Sequence, residues 1–112
     1  MLYMQKENYT ILKKGEIKME NNEITIKVLE KHEEIRKELY DHLDDVFSKF
    51  GIDHCSGKLK LTRRFLKKKE LTKDEFKEMI LLLQHFGGYC DCEVVLNVYE
   101  PFPVGETVVI TA

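Results

Sequence analysis

The strongest secondary-structure signals in the chain lie in residues 71–99, LTKDEFKEMILLLQHFGGYCDCEVVLNVY. Thr72-Lys73-Asp74-Glu75 fits a capping box, in which the hydroxyl and the carboxylate each bind a backbone amide of the first helical turn. Gly87 and Gly88 end this helix, because glycine adopts the left-handed conformation at low cost. The apolar residues between these signals recur at the three- and four-residue spacing of an amphipathic helix: Phe76, Met79, Ile80, Leu83 and Phe86.

The periodicity changes after the two glycines. Val94, Leu96 and Val98 alternate with less apolar neighbours, and this period of two predicts a strand over Glu93–Tyr99. Two prolines interrupt the pattern, and the chain then turns into a predicted last strand, Thr107–Thr111. Between these strands, Tyr99, Pro101, Phe102 and Pro103 form an apolar segment that either caps the core or exposes Phe102 to a partner or dimer.

The preceding half of the chain supplies one strand and two helices. Alternation over Ile24–Val28 predicts a half-buried strand, and helical spacing begins near His32 and runs to Phe50, before a stop at Gly51. A loop holds His54 and Cys55, and Leu59–Lys69 is the next predicted helix. The predicted order is therefore β-α-α-α-β-β, an α+β domain with three helices packed on a small antiparallel sheet.

Composition predicts one soluble domain. The chain has 112 residues, 43% of them hydrophobic and 34% charged, with a formal net charge of −2. No apolar run approaches the ~20 residues of a membrane-spanning helix, and the first residues do not resemble a signal peptide. We expect a cytoplasmic protein of bacterial or phage origin that does not bind membranes.

The N-terminal segment fits this domain poorly. Lys13-Lys14-Gly15-Glu16 can be encoded by a purine run resembling a ribosome-binding site, at a suitable distance before Met19. One hypothesis is that residues 1–18 are a non-native extension and that 19–112 form the single domain; the alternatives are an N-terminal strand or a flexible arm.

Three cysteines provide the main chemical signal. An odd count without a secretion signal argues against a disulfide framework. Cys90 and Cys92 are two residues apart, so their thiolates can reach one ion if the backbone bends there. A tetrahedral zinc ion needs four sulfur or nitrogen ligands. Cys55 and His54, in the loop between helices, are the candidates for the remaining positions, and His85 is held in reserve.

Two blocks of the sequence resemble an uncharacterised bacterial family catalogued only as a domain of unknown function. The more specific block is Gly87-Gly88-Tyr89-Cys90-Asp91-Cys92-Glu93-Val94, and the other is Cys55 followed by residues 59–66, LKLTRRFL. The resemblance groups the three cysteines but implies no activity. Where the family usually has Asp and His after its first cysteine, this chain has Ser56 and Gly57. Its own Asp-His pair precedes Cys55, so His54 is the candidate replacement.

Three interpretations of the cysteines stay open at this point. They are buried, reduced thiols that pack as small hydrophobes, or ligands of a structural zinc ion, or a redox-active or nucleophilic site. Asp91 and Glu93 flank the pair, and their negative charge opposes the lowered thiol pKa that a reactive cysteine needs.

A basic stripe is the second candidate surface. If residues 59–69 are helical, one face carries Lys60, Arg63, Arg64 and Lys67, which could contact phosphates or an acidic partner. The chain is slightly acidic overall and no aromatic residue interrupts this face, so we expect a solvated face rather than a nucleic-acid site. The stripe is expected to pair in part with the acidic face of the preceding helix.

These features favour a small non-enzymatic binding or regulatory module, stiffened by zinc at a Cys/His cluster, with a protein partner or a second copy as its ligand. The first alternative is an enzyme that uses the cluster for metal-assisted hydrolysis or thiol chemistry. The second is a phage or mobile-element inhibitor of a host protein. No glycine-rich phosphate loop, zinc-protease helix or nucleophile elbow occurs in the sequence.

Overall fold

The computed structural model describes the backbone of residues 17–20 and the whole of residues 23–111. Strands β1 (Ile17–Glu20), β2 (Glu23–Lys27) and β3 (Thr107–Thr111) form an antiparallel sheet in the order β1-β2-β3. Ile26 pairs with Ile17 on one side and with Val108 on the other. The central strand therefore comes from the predicted Ile24–Val28 segment, and the predicted last strand lies beside it.

Four α-helices lie between β2 and β3: α1 (Glu30–Phe50), α2 (Lys60–Lys67), α3 (Lys73–His85) and α4 (Asp91–Asn97). A 3₁₀ turn, Ile52–His54, follows α1. Helix α3 begins with the predicted capping box, since the Thr72 hydroxyl accepts from the Glu75 backbone N–H and the Glu75 carboxylate accepts from the Thr72 N–H.

The predicted order was wrong in two elements: it left out β1, which lies where the apolar alternation is faint, and it placed a strand where α4 lies. The order β-α-α-α-β-β required three helices and a strand over Glu93–Tyr99, but this segment belongs to α4, so the α+β domain has four helices. Val94 and Val98 are both buried, and a separation of four residues brings side chains to one face of a helix as well as to one face of a strand. Leu96, which a half-buried strand would place with them, is 59% exposed.

The core lies between the helices and one face of the sheet. Ile24, Ile26 and Val108 are buried on that face, whereas Val109 on the opposite face is exposed. The helices supply most of the other buried apolar side chains, which include Leu39, Leu43, Leu66, Met79, Leu82, Leu83 and Val94. Phe102 is also buried and stacks on Phe86 with a centroid distance of 5.3 Å. The segment after α4 therefore caps this core.

The hypothesis about the N-terminus stays a prediction. Residues 1–16 lie outside the described residues, and β1 spans positions on both sides of the proposed boundary at Met19. Among the helices that the structure describes, none is both long enough and apolar enough to cross a bilayer.

Candidate metal centre

The three cysteines meet at one point. The Sγ atoms of Cys55, Cys90 and Cys92 all lie within 4.8 Å of one another, and those of Cys90 and Cys92 are 3.4 Å apart. All three residues carry free thiols and are half-buried. Cys55 and Cys92 are separated by 37 positions in the sequence, so the centre joins two distant parts of the chain.

Cys55 is placed by the tight connection after α1. Gly51 ends that helix with a φ of 87°, a left-handed conformation that favours glycine. The 3₁₀ turn follows, and the Cys55 N–H donates to the Ile52 carbonyl. The chain then leaves the turn in an extended conformation, and the Gly57 N–H donates to Cys55 Sγ at 3.4 Å.

Cys90 and Cys92 are placed by the start of α4. Cys90 is the residue before the helix and has an extended backbone, while Cys92 lies in the first turn. This change from extended to helical backbone brings two sulfurs of nearby residues together, as the sequence pattern required. The Cys92 N–H also donates to Cys55 Sγ, at 3.3 Å.

Asp91 connects the start of α4 to the segment that follows Cys55. Its carboxylate is 1% exposed and accepts from the backbone N–H groups of Leu61 and Thr62, each at 2.9 Å. The Thr62 hydroxyl donates to the same carboxylate at 2.7 Å. The Asp91 N–H in turn donates to the Lys58 carbonyl. Asp91 thus supplies the N-terminal cap that α2 lacks within its own sequence, and it fixes the Cys55 loop against α4.

The thiols of Cys55 and Cys92 have pKa values shifted in opposite directions. Burial raises the pKa of Cys55, but hydrogen bonds from the Gly57 and Cys92 N–H groups and from the other two thiols outweigh burial, and the pKa lies below its ordinary value of 9.0. The hydrogen bond with Cys90, burial and the negative sulfur of Cys55 together raise the pKa of Cys92 to about 12. Of these two thiols, Cys55 is therefore the more acidic.

The predicted histidine ligands do not join the sulfurs. His54 is exposed and stacks on Phe50 with a centroid distance of 5.3 Å. His85 is exposed at the end of α3 and meets the edge of Phe86 at 4.8 Å. Over residues 23–111, the group of ligand-bearing side chains that the structure brings together consists of the three cysteines.

The predicted basic stripe lies on the solvent side of α2, where Lys60, Arg63, Arg64 and Lys67 are all exposed. Arg63 lies over the Phe76 ring at 6.0 Å. Lys69, just beyond the helix, forms an ion pair with Glu38 of α1.

Two largely buried polar clusters were not predicted from the sequence. The Arg36 guanidinium holds the Glu33 carboxylate at 2.7 and 2.8 Å and donates to the Val98 carbonyl at 3.0 Å. His32 Nε2 lies 2.7 Å from Glu78 Oε1. The i, i+3 spacing of opposite charges in the first pair was a signal that could have found it, whereas partners 46 residues apart leave no local pattern.

Comparison with known proteins gives a family but no activity. A sequence model of the family described as "Protein of unknown function (DUF2695)" matches residues 39–97, a range that includes all three cysteines. The uncharacterised protein Rv2271 of Mycobacterium tuberculosis is 34% identical over 65 residues, which is 58% of this chain and 59% of the relative. The uncharacterised protein Mb2294 of Mycobacterium bovis matches to the same extent.

The chain thus spans about three fifths of the length of these curated relatives. No solved structure matches it.

Proposed function

This chain belongs to the bacterial family of unknown function DUF2695, and we propose that it is a small, non-enzymatic binding or regulatory module built around one zinc ion. Cys55, Cys90 and Cys92 are the proposed ligands. The observation that carries the proposal is the convergence of three half-buried sulfurs within 4.8 Å from two distant segments. Packing alone does not require all three cysteines of a chain to meet.

The spacing of the sulfurs suits a tetrahedral ion. Zinc–sulfur bonds of about 2.3 Å at tetrahedral angles place the sulfurs about 3.8 Å apart. The distance of 3.4 Å between Cys90 and Cys92, and the limit of 4.8 Å for all three pairs, bracket this value. Small side-chain rotations therefore suffice to form the coordination geometry.

The ligand type favours zinc. Thiolates select soft or borderline ions such as zinc over magnesium and calcium, which prefer oxygen ligands. The two backbone N–H groups that donate to Cys55 Sγ would offset part of the negative charge of a zinc–thiolate centre, and so stabilise it.

The neighbouring acids favour a binding role over a hydrolytic one. A zinc hydrolase needs a group that accepts a proton from the attacking water. Both oxygens of Asp91 already accept hydrogen bonds from α2, and the Glu93 carboxylate accepts from the Tyr89 N–H at 3.0 Å. Of the two carboxylates nearest the sulfurs in sequence, Asp91 therefore uses both oxygens and Glu93 uses one in structural hydrogen bonds.

The test is zinc stoichiometry measured on protein purified under reducing conditions, with Cys90→Ser and Cys55→Ser as variants. We expect one equivalent of zinc in the parent protein and a loss of tight binding in both variants. His42→Ala is the matched control, because His42 stacks on Phe65 and is not part of the centre. Substoichiometric zinc in the parent protein, or equal loss in the control, would exclude the proposed centre.

A further inference from the structure

A zinc centre built from these sulfurs lacks one ligand. Tetrahedral zinc takes four ligands, and Cys and His are the residues that most often supply them. The chain has three cysteines and four histidines, and all seven lie within the described residues. Over residues 23–111 no histidine or carboxylate joins the three sulfurs, and the contacts of each histidine show what holds it elsewhere.

Each histidine is engaged elsewhere. His32 is 3% exposed, and both of its ring nitrogens are used: Nδ1 accepts from the Leu29 N–H at 2.9 Å, and Nε2 pairs with Glu78. The other three stack on, or meet the edge of, a phenylalanine ring and do not join the sulfurs. They are His42, His54 and His85.

The proposal here rests on the zinc centre of the preceding section. We propose that the fourth coordination position of the ion faces away from this chain and takes the thiolate of an exogenous thiol. The thiol R–SH replaces a bound water molecule, its sulfur forms the new bond to zinc, and its proton passes to solvent. No oxidation or reduction takes place, so the step needs no further reactant.

A thiol fits this position better than a substrate water. Three sulfur donors make the ion soft, and a soft ion prefers a fourth sulfur over oxygen. Zinc itself promotes loss of the thiol proton, so no protein base is required. The neighbouring carboxylates, which a hydrolytic reaction would need, are held by α2 and by the Tyr89 N–H.

The position is also reachable. All three cysteines are half-buried rather than enclosed, and Tyr89, next to Cys90 in the chain, is 63% exposed. Two sources can supply the same ligand chemistry: a small thiol, or a cysteine from another protein molecule. The experiment separates them.

The experiment uses the full chain loaded with one equivalent of zinc, or with cobalt for spectroscopy, and 2-mercaptoethanol as the probe. We expect native mass spectrometry to detect one bound thiol per metal-loaded protein. The sulfur-to-cobalt charge-transfer intensity should rise by about one third as three metal–sulfur bonds become four. Ethylene glycol, in which oxygen replaces the sulfur of the probe, should bind neither to the zinc-loaded nor to the cobalt-loaded protein.

A second arm tests for a protein cysteine as the source. Zinc-loaded protein without added thiol is analysed by sedimentation over a range of concentrations. A monomer that gains the thiol adduct identifies a small thiol as the ligand. All three cysteines of each chain are already ligands, so a zinc-dependent dimer would need a cysteine of one centre to bridge to the zinc of the other. Dissociation of such a dimer by 2-mercaptoethanol identifies a bridging protein thiolate at the same position, and therefore also supports the proposal.

Two results would overturn it. The first is one tightly bound metal ion whose mass and spectrum do not respond to the thiol. The second is a drop in metal affinity of tenfold or more in His54→Ala or His85→Ala, which would place the fourth ligand within this chain. Absence of metal binding in the parent protein is a different result, since it refutes the zinc centre itself.

Discussion

The carboxylate of Asp91 accepts three hydrogen bonds although it lies between two cysteines of the candidate centre. Its partners are the Thr62 hydroxyl and the backbone N–H groups of Leu61 and Thr62, which lie in the first turn of α2 and have no acceptor within that helix. A buried carboxylate is stable only when it is hydrogen-bonded in this way, and here the same bonds determine where the Cys55 loop lies. One residue thus sets both the start of a helix and the geometry of the sulfurs.

Asp91→Asn tests this role. The amide removes the negative charge, and its NH₂ group meets N–H donors where an oxygen is required, so we expect a loss of about 1–3 kcal/mol in the free energy of unfolding. Zinc affinity should fall as well. Denaturant titration measures the first effect, and Asp41→Asn, at an exposed position of α1, is the control. Equal stability of the two variants would contradict the assignment.

Titration of Glu33 should make the stability of the fold depend on pH. Burial raises the pKa of this carboxyl, but the hydrogen bond and charge of Arg36 and the Phe102 N–H outweigh burial, and the pKa lies below its ordinary value of 4.5. In the window between the lowered value and 4.5 the unfolded chain binds more protons than the folded chain. Stability contributed by Glu33 is therefore complete above this window and lost as the pH falls through the folded-state pKa.

Glu33→Gln removes this titration. We expect the variant to be less stable than the parent by about 1–3 kcal/mol near neutral pH, because it weakens hydrogen bonds to a charged group. The difference should shrink in acid, where the parent loses the same contribution. Urea denaturation at a series of pH values measures it, with Glu34→Gln, at an exposed neighbouring position, for comparison. A difference that is constant with pH would be inconsistent with this origin.

At the level of elements, the sequence predicted the long helices and two strands correctly because their signals repeat. Helix α1 shows several turns of apolar spacing, and α3 adds a capping box at its start. Helix α4 has seven residues, too few for the helical and strand periods to diverge. With Val94 and Val98 compatible with both, the β-branched valines favoured the wrong choice.

The candidate site was predictable in part for a related reason. Its cysteines carry a chemical signal that does not depend on secondary structure, and the resemblance grouped Cys55 with the pair after Gly88. The hydrogen bonds of Asp91 were not predictable, because its partners lie about thirty residues earlier. The orientation of His54 depends on its contact with Phe50, which spacing in the sequence does not define.

The approach of α4 to α3 depends on Gly88. A Cβ atom added there would lie 2.9 Å from Val94 Cγ2 and 3.2 Å from the Leu83 carbonyl oxygen. Gly88→Ala should therefore push the two helices apart, costing about 1–3 kcal/mol, and should weaken zinc binding through the displaced Cys90 and Cys92.

Gly105→Ala provides the comparison for this element. Its Cβ would meet nothing within 4 Å, and its φ of 91° adds only a backbone cost of roughly 1 kcal/mol. Thermal unfolding and zinc titration of both variants measure the effects. Unchanged zinc affinity in Gly88→Ala would mean that the centre does not depend on this contact.

For the whole molecule, an ion at the proposed centre would cross-link segments that enclose α2 and α3. A ligand that binds the folded chain stabilises it according to its concentration relative to Kd, by about 2.7 kcal/mol at one hundred times Kd. We therefore expect the unfolding temperature to rise with zinc concentration and to fall again on chelation. Cys55→Ser should show no such rise, and a zinc-independent unfolding temperature in the parent protein would contradict the cross-link.

Helix α4 is held at both of its ends. Asp91 attaches its first turn to α2, and the Arg36 guanidinium binds the Val98 carbonyl just beyond its last turn. On the Cys55 side, Asp91 holds the chain that follows Cys55, through Lys58 and the start of α2, whereas the turn before it, residues 51–54, is exposed. Any adjustment between the empty and loaded forms must then be absorbed by that short connection. Amide hydrogen exchange should slow in residues 51–54 when zinc binds, while the α4 amides keep their rates. The α4 side of the centre would then be rigid in both forms, and the Cys55 side would become ordered only around the ion.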